Sequence, residues 1–251
     1  SVIVAVLLFS TYFAFQYSRG VVSKYNDKLI RFINLVWKIE ANIDSMKIDL
    51  AFLMLNECKS SNCSHLSSRI AMIDMQIMQT GPGSILFLGD SITEGALIPQ
   101  SICGMPTINA GIGGATVGVF KNLAQHFIQA AKPTIILISL GSNDTWRTRN
   151  MSVTTFKKQY LSLVKIVLRA GVPVIVTTIP PVEVNKPLGD TAFSSEKINQ
   201  FNREIQRIAK ENNLSIVDLN KILSSSDGFA IEGATTDGIH FSAKTYQFWI
   251  Q

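Results

Sequence analysis

A chain of 251 residues with 47% hydrophobic side chains can bury one ordinary domain and still carry an appendage, which excludes an intrinsically disordered chain. The formal net charge of +5 is dispersed, with 8 basic and 6 acidic residues in positions 1–80 and 15 and 12 in the remainder. So mild and scattered a balance excludes a dedicated nucleic-acid binder.

Residues 1–18, SVIVAVLLFSTYFAFQYS, contain no charge. A helix of that length spans ~27 Å, close to the hydrocarbon thickness of a bilayer, so a single-pass transmembrane helix is expected. No small-residue cleavage site precedes Arg19, which argues against a removed signal peptide. Two signals for orientation oppose each other. Arg19, Lys24, Lys28 and Arg31 after the span favour a cytoplasmic continuation. Cys58 and Cys63, in the polar turn CKSSNC, suit a small disulfide-closed loop outside the cytoplasm, with two unpaired surface thiols as the alternative. We expect the periplasmic or extracellular side.

From Val22 to Leu53 apolar residues recur in two heptad rows. Val22, Leu29, Val36, Ile43 and Leu50 form one; Tyr25, Phe32, Ile39, Met46 and Leu53 form the other. A second helical pattern follows, with Ser64 as cap and Leu66, Ile70, Ile73 and Ile77 as its apolar stripe, until Gly81-Pro82-Gly83 ends it. Residues 19–80 therefore read as a helical stalk, either a hairpin or a coil that self-associates through residues 22–53. Met72, Met75 and Met78 read as core filler, and Cys103 as a single structural cysteine.

After Gly83 short apolar runs alternate with amphipathic segments, which predicts a parallel α/β domain over residues 81–251. Strands are expected at Ile85 to Leu88, Thr107 to Asn109, Thr134 to Leu140, Val172 to Thr178 and Ser215 to Asp218. Helices fit at Val117 to Ala131, Thr154 to Ala170 and Ser195 to Asn212, with a last one opening at Ser242. Five strands with helices between them suit a three-layer flavodoxin-like fold with a parallel sheet. GIGGATVG after Asn109 lacks the lysine of a P-loop and does not match GxGxxG, and no metal or organic cofactor is called for.

The chemistry concentrates where the first of these runs stops at Gly89-Asp90-Ser91. A strand ending there delivers Ser91 to the carboxyl edge of the sheet, where open α/β folds place their sites. Gly-Asp-Ser is also ordinary turn chemistry, so a hydrolytic Ser91 needs a histidine base and a carboxylate to orient it. His126 lies in a helical segment and His65 in the stalk, whereas His240 stands in TTDGIHFS three residues after Asp237. Donors for an oxyanion can come from Gly114 in NAGIGG and Asn143 in LGSND. Four glycosylation sequons, at Asn62, Asn143, Asn150 and Asn213, are read as chance.

GDS at 89–91, Gly114, GSND at 141–144 and DGIH at 237–240 occur in the order and approximate spacing of the SGNH (GDSL-type) hydrolases, a family that the chain resembles from residue 84 to about 250. The resemblance implies Ser91 as nucleophile, His240 as base, Asp237 orienting His240, and the Ser91 amide, Gly114 and Asn143 as oxyanion donors. INQFNREI at 198–205 is similar to an asparagine-bearing helix of that family. Ala115 departs from it, because many members carry Asp after the glycine. The α/β-hydrolase motif GxSxG fails at Thr93.

These readings combine into a membrane-tethered esterase that cleaves short, acetyl-type acyl groups from a glycan or lipid ester. Two alternatives stand beside it: a glycan O-acyltransferase, and a coiled-coil scaffold with an inactive hydrolase domain.

Overall fold

The computed structural model describes residues 63–250. The span expected at 1–18, the heptads of 22–53 and the Cys58 to Cys63 pairing lie outside the described residues. Among the described residues no helix is long and apolar enough to cross a membrane.

Six strands make one sheet: β1 (Ile85–Gly89), β2 (Ser101–Ile102), β3 (Met105–Gly111), β4 (Ile135–Ser139), β5 (Val174–Thr177) and β6 (Ser215–Val217). Their order is β2-β3-β1-β4-β5-β6. Every residue of β1 is buried, as an apolar run in a parallel sheet covered on both faces must be. Leaving out β2, the strands run second, first, third, fourth, fifth across the sheet. That is the doubly wound flavodoxin-like order, in which the switch point falls beside β1.

β2 corrects the expected five-stranded, all-parallel sheet, because it pairs antiparallel with β3 through Ser101↔Pro106 and Ile102↔Met105. Cys103 and Gly104 turn the chain between them with φ of 51° and 78°, the two left-handed conformations of a type I′ hairpin. A strand of two residues is too short for alternation to reveal. Cys103, read as structural, is an exposed free thiol in that turn.

Helices α1 (Cys63–Thr80), α2 (Ser91–Glu94), α3 (Val117–Ala131), α4 (Val153–Leu168), α5 (Ser195–Glu211), α6 (Leu219–Leu223) and α7 (Ala243–Ile250) connect and flank the strands. Thr116, Ser152 and Ser194 cap α3, α4 and α5, each side chain accepting a backbone N–H three residues on. Phe156 of α4 stacks on Phe201 of α5 at 4.0 Å between ring centres. At the next position of α5, buried Asn202 donates to the Ile179 carbonyl (2.9 Å) and accepts from the Ile179 N–H (2.7 Å). It thereby satisfies both backbone groups of a residue just past β5.

The expected boundary at residue 80 also changes. The compact unit begins at Ser64, and α1 packs on the sheet domain instead of belonging to a separate stalk. Ile70, Ile73 and Ile77 are buried, and Asp74 meets His126 of α3 at 2.7 Å. The opposite side of α1 carries Met72, Met75 and Met78, exposed at 60, 54 and 73%, so they are not core filler.

Candidate active site

Gly89 and Gly111 face each other in the register of β1 and β3. A Cβ on Gly89 would stand 1.9 Å from Thr93 Oγ1, and one on Gly111 would stand 2.2 Å from the Glu94 backbone nitrogen. Only this pair of bare positions lets α2 settle directly on the end of the sheet. Asp90 caps it by accepting the Ile92 N–H at 3.0 Å, and Ser91 is its first residue. The Ser91 N–H therefore has no acceptor within the helix.

Across from Ser91, the loop before α7 presents His240. His240 Nε2 lies 2.8 Å from Ser91 Oγ, and its Nδ1 lies 2.6 Å from Asp237 Oδ2. The other Asp237 oxygen accepts the N–H groups of Ile239 (3.1 Å) and His240 (2.9 Å). Burial would raise the Asp237 pKa, but the bonds from the His240 ring and from these two amides hold it below its ordinary value. An ionised carboxylate only accepts, so His240 Nδ1 carries the proton and Nε2 is left to accept from the serine hydroxyl.

The loop holding His240 is braced from beneath. The Glu183 carboxylate, buried to 4% exposure, accepts the N–H groups of Gly233 (2.9 Å) and Thr235 (2.8 Å) and the Thr235 hydroxyl (2.7 Å). Thr235 Oγ1 in turn accepts the Gly238 N–H at 3.0 Å. Burial favours the neutral acid, yet these bonds and the nearby Lys186 charge outweigh it and lower the Glu183 pKa.

Gly114 lies in the turn Ile112–Ala115, closed by the Ala115 N–H on the Ile112 carbonyl at 3.1 Å. Its φ of 74° meets the demand of a type II turn at that position, and a Cβ there would touch nothing within 4 Å. The glycine serves conformation, not space. Asn143 sits in a 3-10 turn (Ser142–Thr145) beyond β4, and its Nδ2 donates to the Ala115 carbonyl at 3.2 Å. That bond ties its turn to the Gly114 turn and leaves the second amide hydrogen of Asn143 for another acceptor.

Two further carboxylates lie under the site. Asp90 is raised to about 6 and Asp144 to about 7, in both cases chiefly because burial penalises the charged form. Asp144 Oδ2 accepts the Val117 N–H at 3.1 Å, while Asp90 Oδ2 and Asp144 Oδ1 are buried without a partner. An orphan buried oxygen disfavours the charged carboxylate, in the same direction as these shifts.

The structure thus brings Ser91, His240 and Asp237 into one hydrogen-bonded line and links the turns of Gly114 and Asn143. Sequence reasoning did not single out Asn109, Glu94, Arg69 or Asp144. Nor did it single out Glu183, although a lone carboxylate in the run Ile179–Val184 was a signal, since a buried charge needs partners.

The chain matches the model of the GDSL-like lipase/acylhydrolase family over residues 87–248. It is 29% identical over 177 residues to an acetylxylan esterase of Geobacillus stearothermophilus, covering 56% of this chain and 78% of that protein. In fold it resembles the lipase/acylhydrolase of Enterococcus faecalis, with TM-score 0.56, 23% identity, and coverage of 66% of this chain and 91% of that one. It also resembles an acetyl xylan esterase structure from Geobacillus stearothermophilus, with TM-score 0.53, 24% identity, and coverage of 67% and 92%. The chain belongs to the GDSL-like lipase/acylhydrolase family, the SGNH hydrolases, and is a carboxylic ester hydrolase.

Proposed function

We propose that the chain is a membrane-tethered serine esterase that removes short acyl groups, acetyl first, from a polyhydroxylated carrier such as a glycan. The observation that carries it is the line from Ser91 Oγ through His240 to Asp237, with contacts of 2.8 and 2.6 Å. Ser91 Oγ attacks the ester carbonyl while His240 Nε2 takes its proton. The carbonyl oxygen becomes an oxyanion, received by the N–H groups of Ser91 and Gly114 and the free amide hydrogen of Asn143. Collapse expels the alcohol, which regains the proton from His240 and leaves an acyl ester on Ser91. Water, deprotonated by the same nitrogen, then attacks this ester, releasing the carboxylic acid and the free serine. Asp237 keeps the imidazole in the required tautomer and stabilises its cation throughout.

The substrate class is supported by what lies beside the His240 loop. A cavity of about 490 Å³ is lined by Arg147, Val184, Asn185, Lys186, Asp190 and Thr191. The segment 184–191 that lines it donates the Leu188 N–H to the Asp237 carbonyl of the His240 loop at 2.7 Å. Charged and amide side chains suit sugar hydroxyls better than an acyl tail, and the similar Geobacillus protein is named for an acetylated glycan. The uncharged residues 1–18 support the tether, and the Cys58 and Cys63 pair supports placement outside the cytoplasm.

Initial rates on acetylated xylan, other acetylated glycans, and aryl acetate and octanoate esters test this reading. Acetyl release from at least one glycan, with aryl acetate hydrolysed faster than octanoate, is the expected result. Faster octanoate hydrolysis with no glycan deacetylated contradicts it. Alkaline extraction of membranes from cells expressing the chain tests the tether, which predicts retention in the membrane fraction.

A further inference from the structure

Ala115 offers no carboxylate to brace the turn that carries Gly114, yet that turn is braced. Glu94, three residues after Ser91 on α2, reaches across and accepts the Gly113 N–H on Oε2 at 2.5 Å. A Cβ on Gly113 would stand 3.0 Å from the same oxygen and 3.2 Å from His65 Nε2, so the glycine lets the carboxylate and the histidine come this close. Two residues of α1 converge on Glu94. His65 Nε2 lies 3.2 Å from Oε2, and Arg69 Nε lies 3.8 Å from Oε1.

Arg69 also donates to the backbone carbonyls of Gly111 (2.7 Å) and Asn109 (2.9 Å), where β3 runs out into the turn. The Asn109 side chain completes the joint. Its oxygen accepts the Gly111 N–H at 2.9 Å, and its nitrogen donates to the carbonyls of Thr93 (2.8 Å) and Ala96 (3.2 Å) around the end of α2. One short helix thus carries the nucleophile with its own amide and also the carboxylate that holds the neighbouring turn.

We propose that Glu94 is a positioning residue for the oxyanion-binding turn, fixing the distance between the Ser91 and Gly114 amides, and that Arg69 and His65 of α1 hold Glu94 in place. α1 lies ahead of the segment matched by the family model, which begins at residue 87. On this reading α1 is nonetheless a working part of the catalytic domain. The proposal rests on the esterase reading above.

The test uses the full chain, with an aryl acetate as substrate and phenylboronic acid as a probe that forms a tetrahedral adduct on serine. Glu94→Ala should lower kcat about ten- to a hundredfold, as displacement of a donor by a fraction of an ångström can, with KM nearly unchanged. The affinity for phenylboronic acid should fall in parallel. Glu94→Gln, which keeps an acceptor for the Gly113 N–H, should recover most of the activity. If Glu94→Ala does not fold, Glu94→Asp, one methylene shorter, takes its place with the same expectations. A kcat like that of the wild type, a loss of kcat with boronate affinity intact, or a Glu94→Gln enzyme as impaired as Glu94→Ala would each overturn the proposal and leave the esterase reading standing. A wild-type chain that neither hydrolyses the ester nor binds the boronate overturns the esterase reading, and this proposal with it.

Discussion

Ser91 Oγ and His240 Nε2 meet at 2.8 Å although 149 residues separate them in the chain. One stands at the end of the central strand β1, the other in a loop braced by Glu183 and closed by the Thr235 to Phe241 bridge. Because Asp237 fixes the ring through Nδ1, Asp237→Asn should lower kcat by roughly a hundred- to ten-thousandfold, the amide favouring the wrong tautomer. Turnover of an aryl acetate measures it, and a fall of less than tenfold would remove Asp237 from the line.

Asn143 has one amide hydrogen on the Ala115 carbonyl and one left over. Asn143→Ala should cost about a hundred- to a thousandfold in kcat, with little change in KM, if that second hydrogen binds the oxyanion. A loss confined to KM would assign the residue to substrate binding instead.

Glu183 is buried and carries three hydrogen bonds of the His240 loop. Glu183→Ala strands two amides and a hydroxyl, so the folded state should lose on the order of 3 kcal/mol. Urea unfolding reads this directly, and a variant as stable as the wild type would mean that the loop stands without its brace.

The buried acids predict a pH dependence of stability. The folded pKa values of Asp90 and Asp144 lie above 3.8, at about 6 and about 7. Such groups stabilise the fold below their unfolded pKa, and that contribution is lost as pH rises through the folded values. Glu183 and Asp237, both lowered, act in the opposite sense, and their contribution is lost only as pH falls below the ordinary carboxylate range. Between about pH 5 and pH 8 the raised pair dominates. The Tm of the wild type should fall across that window, and that of Asp144→Asn should fall less. Equal slopes would contradict the assignment.

How much of this was legible in the sequence follows from the range of each interaction. The strand carrying Ser91 and the Asp237 to His240 loop are local patterns, and each could be read where it stood. The parallel order around β1 followed from strands alternating with helices. β2 escaped because two residues show no alternation. α1 was recognised as a helix with an Ile70, Ile73 and Ile77 stripe, but periodicity does not say what a stripe packs against, and so it was assigned to the stalk. The links from Arg69 and Glu94 to the turn after β3, and from Glu183 to Thr235, join residues that only the fold brings together. Glu183 is 52 positions from the residue it holds.

The central claim is that Ser91 is a nucleophile activated by His240. A fluorophosphonate probe added to the full-length protein, followed by digestion and mass spectrometry, tests it most directly. The account predicts a single phosphonylated peptide modified at Ser91 in the wild type, absent in Ser91→Ala and strongly diminished in His240→Ala. Labelling at another residue, or none in a folded wild-type protein, would contradict it.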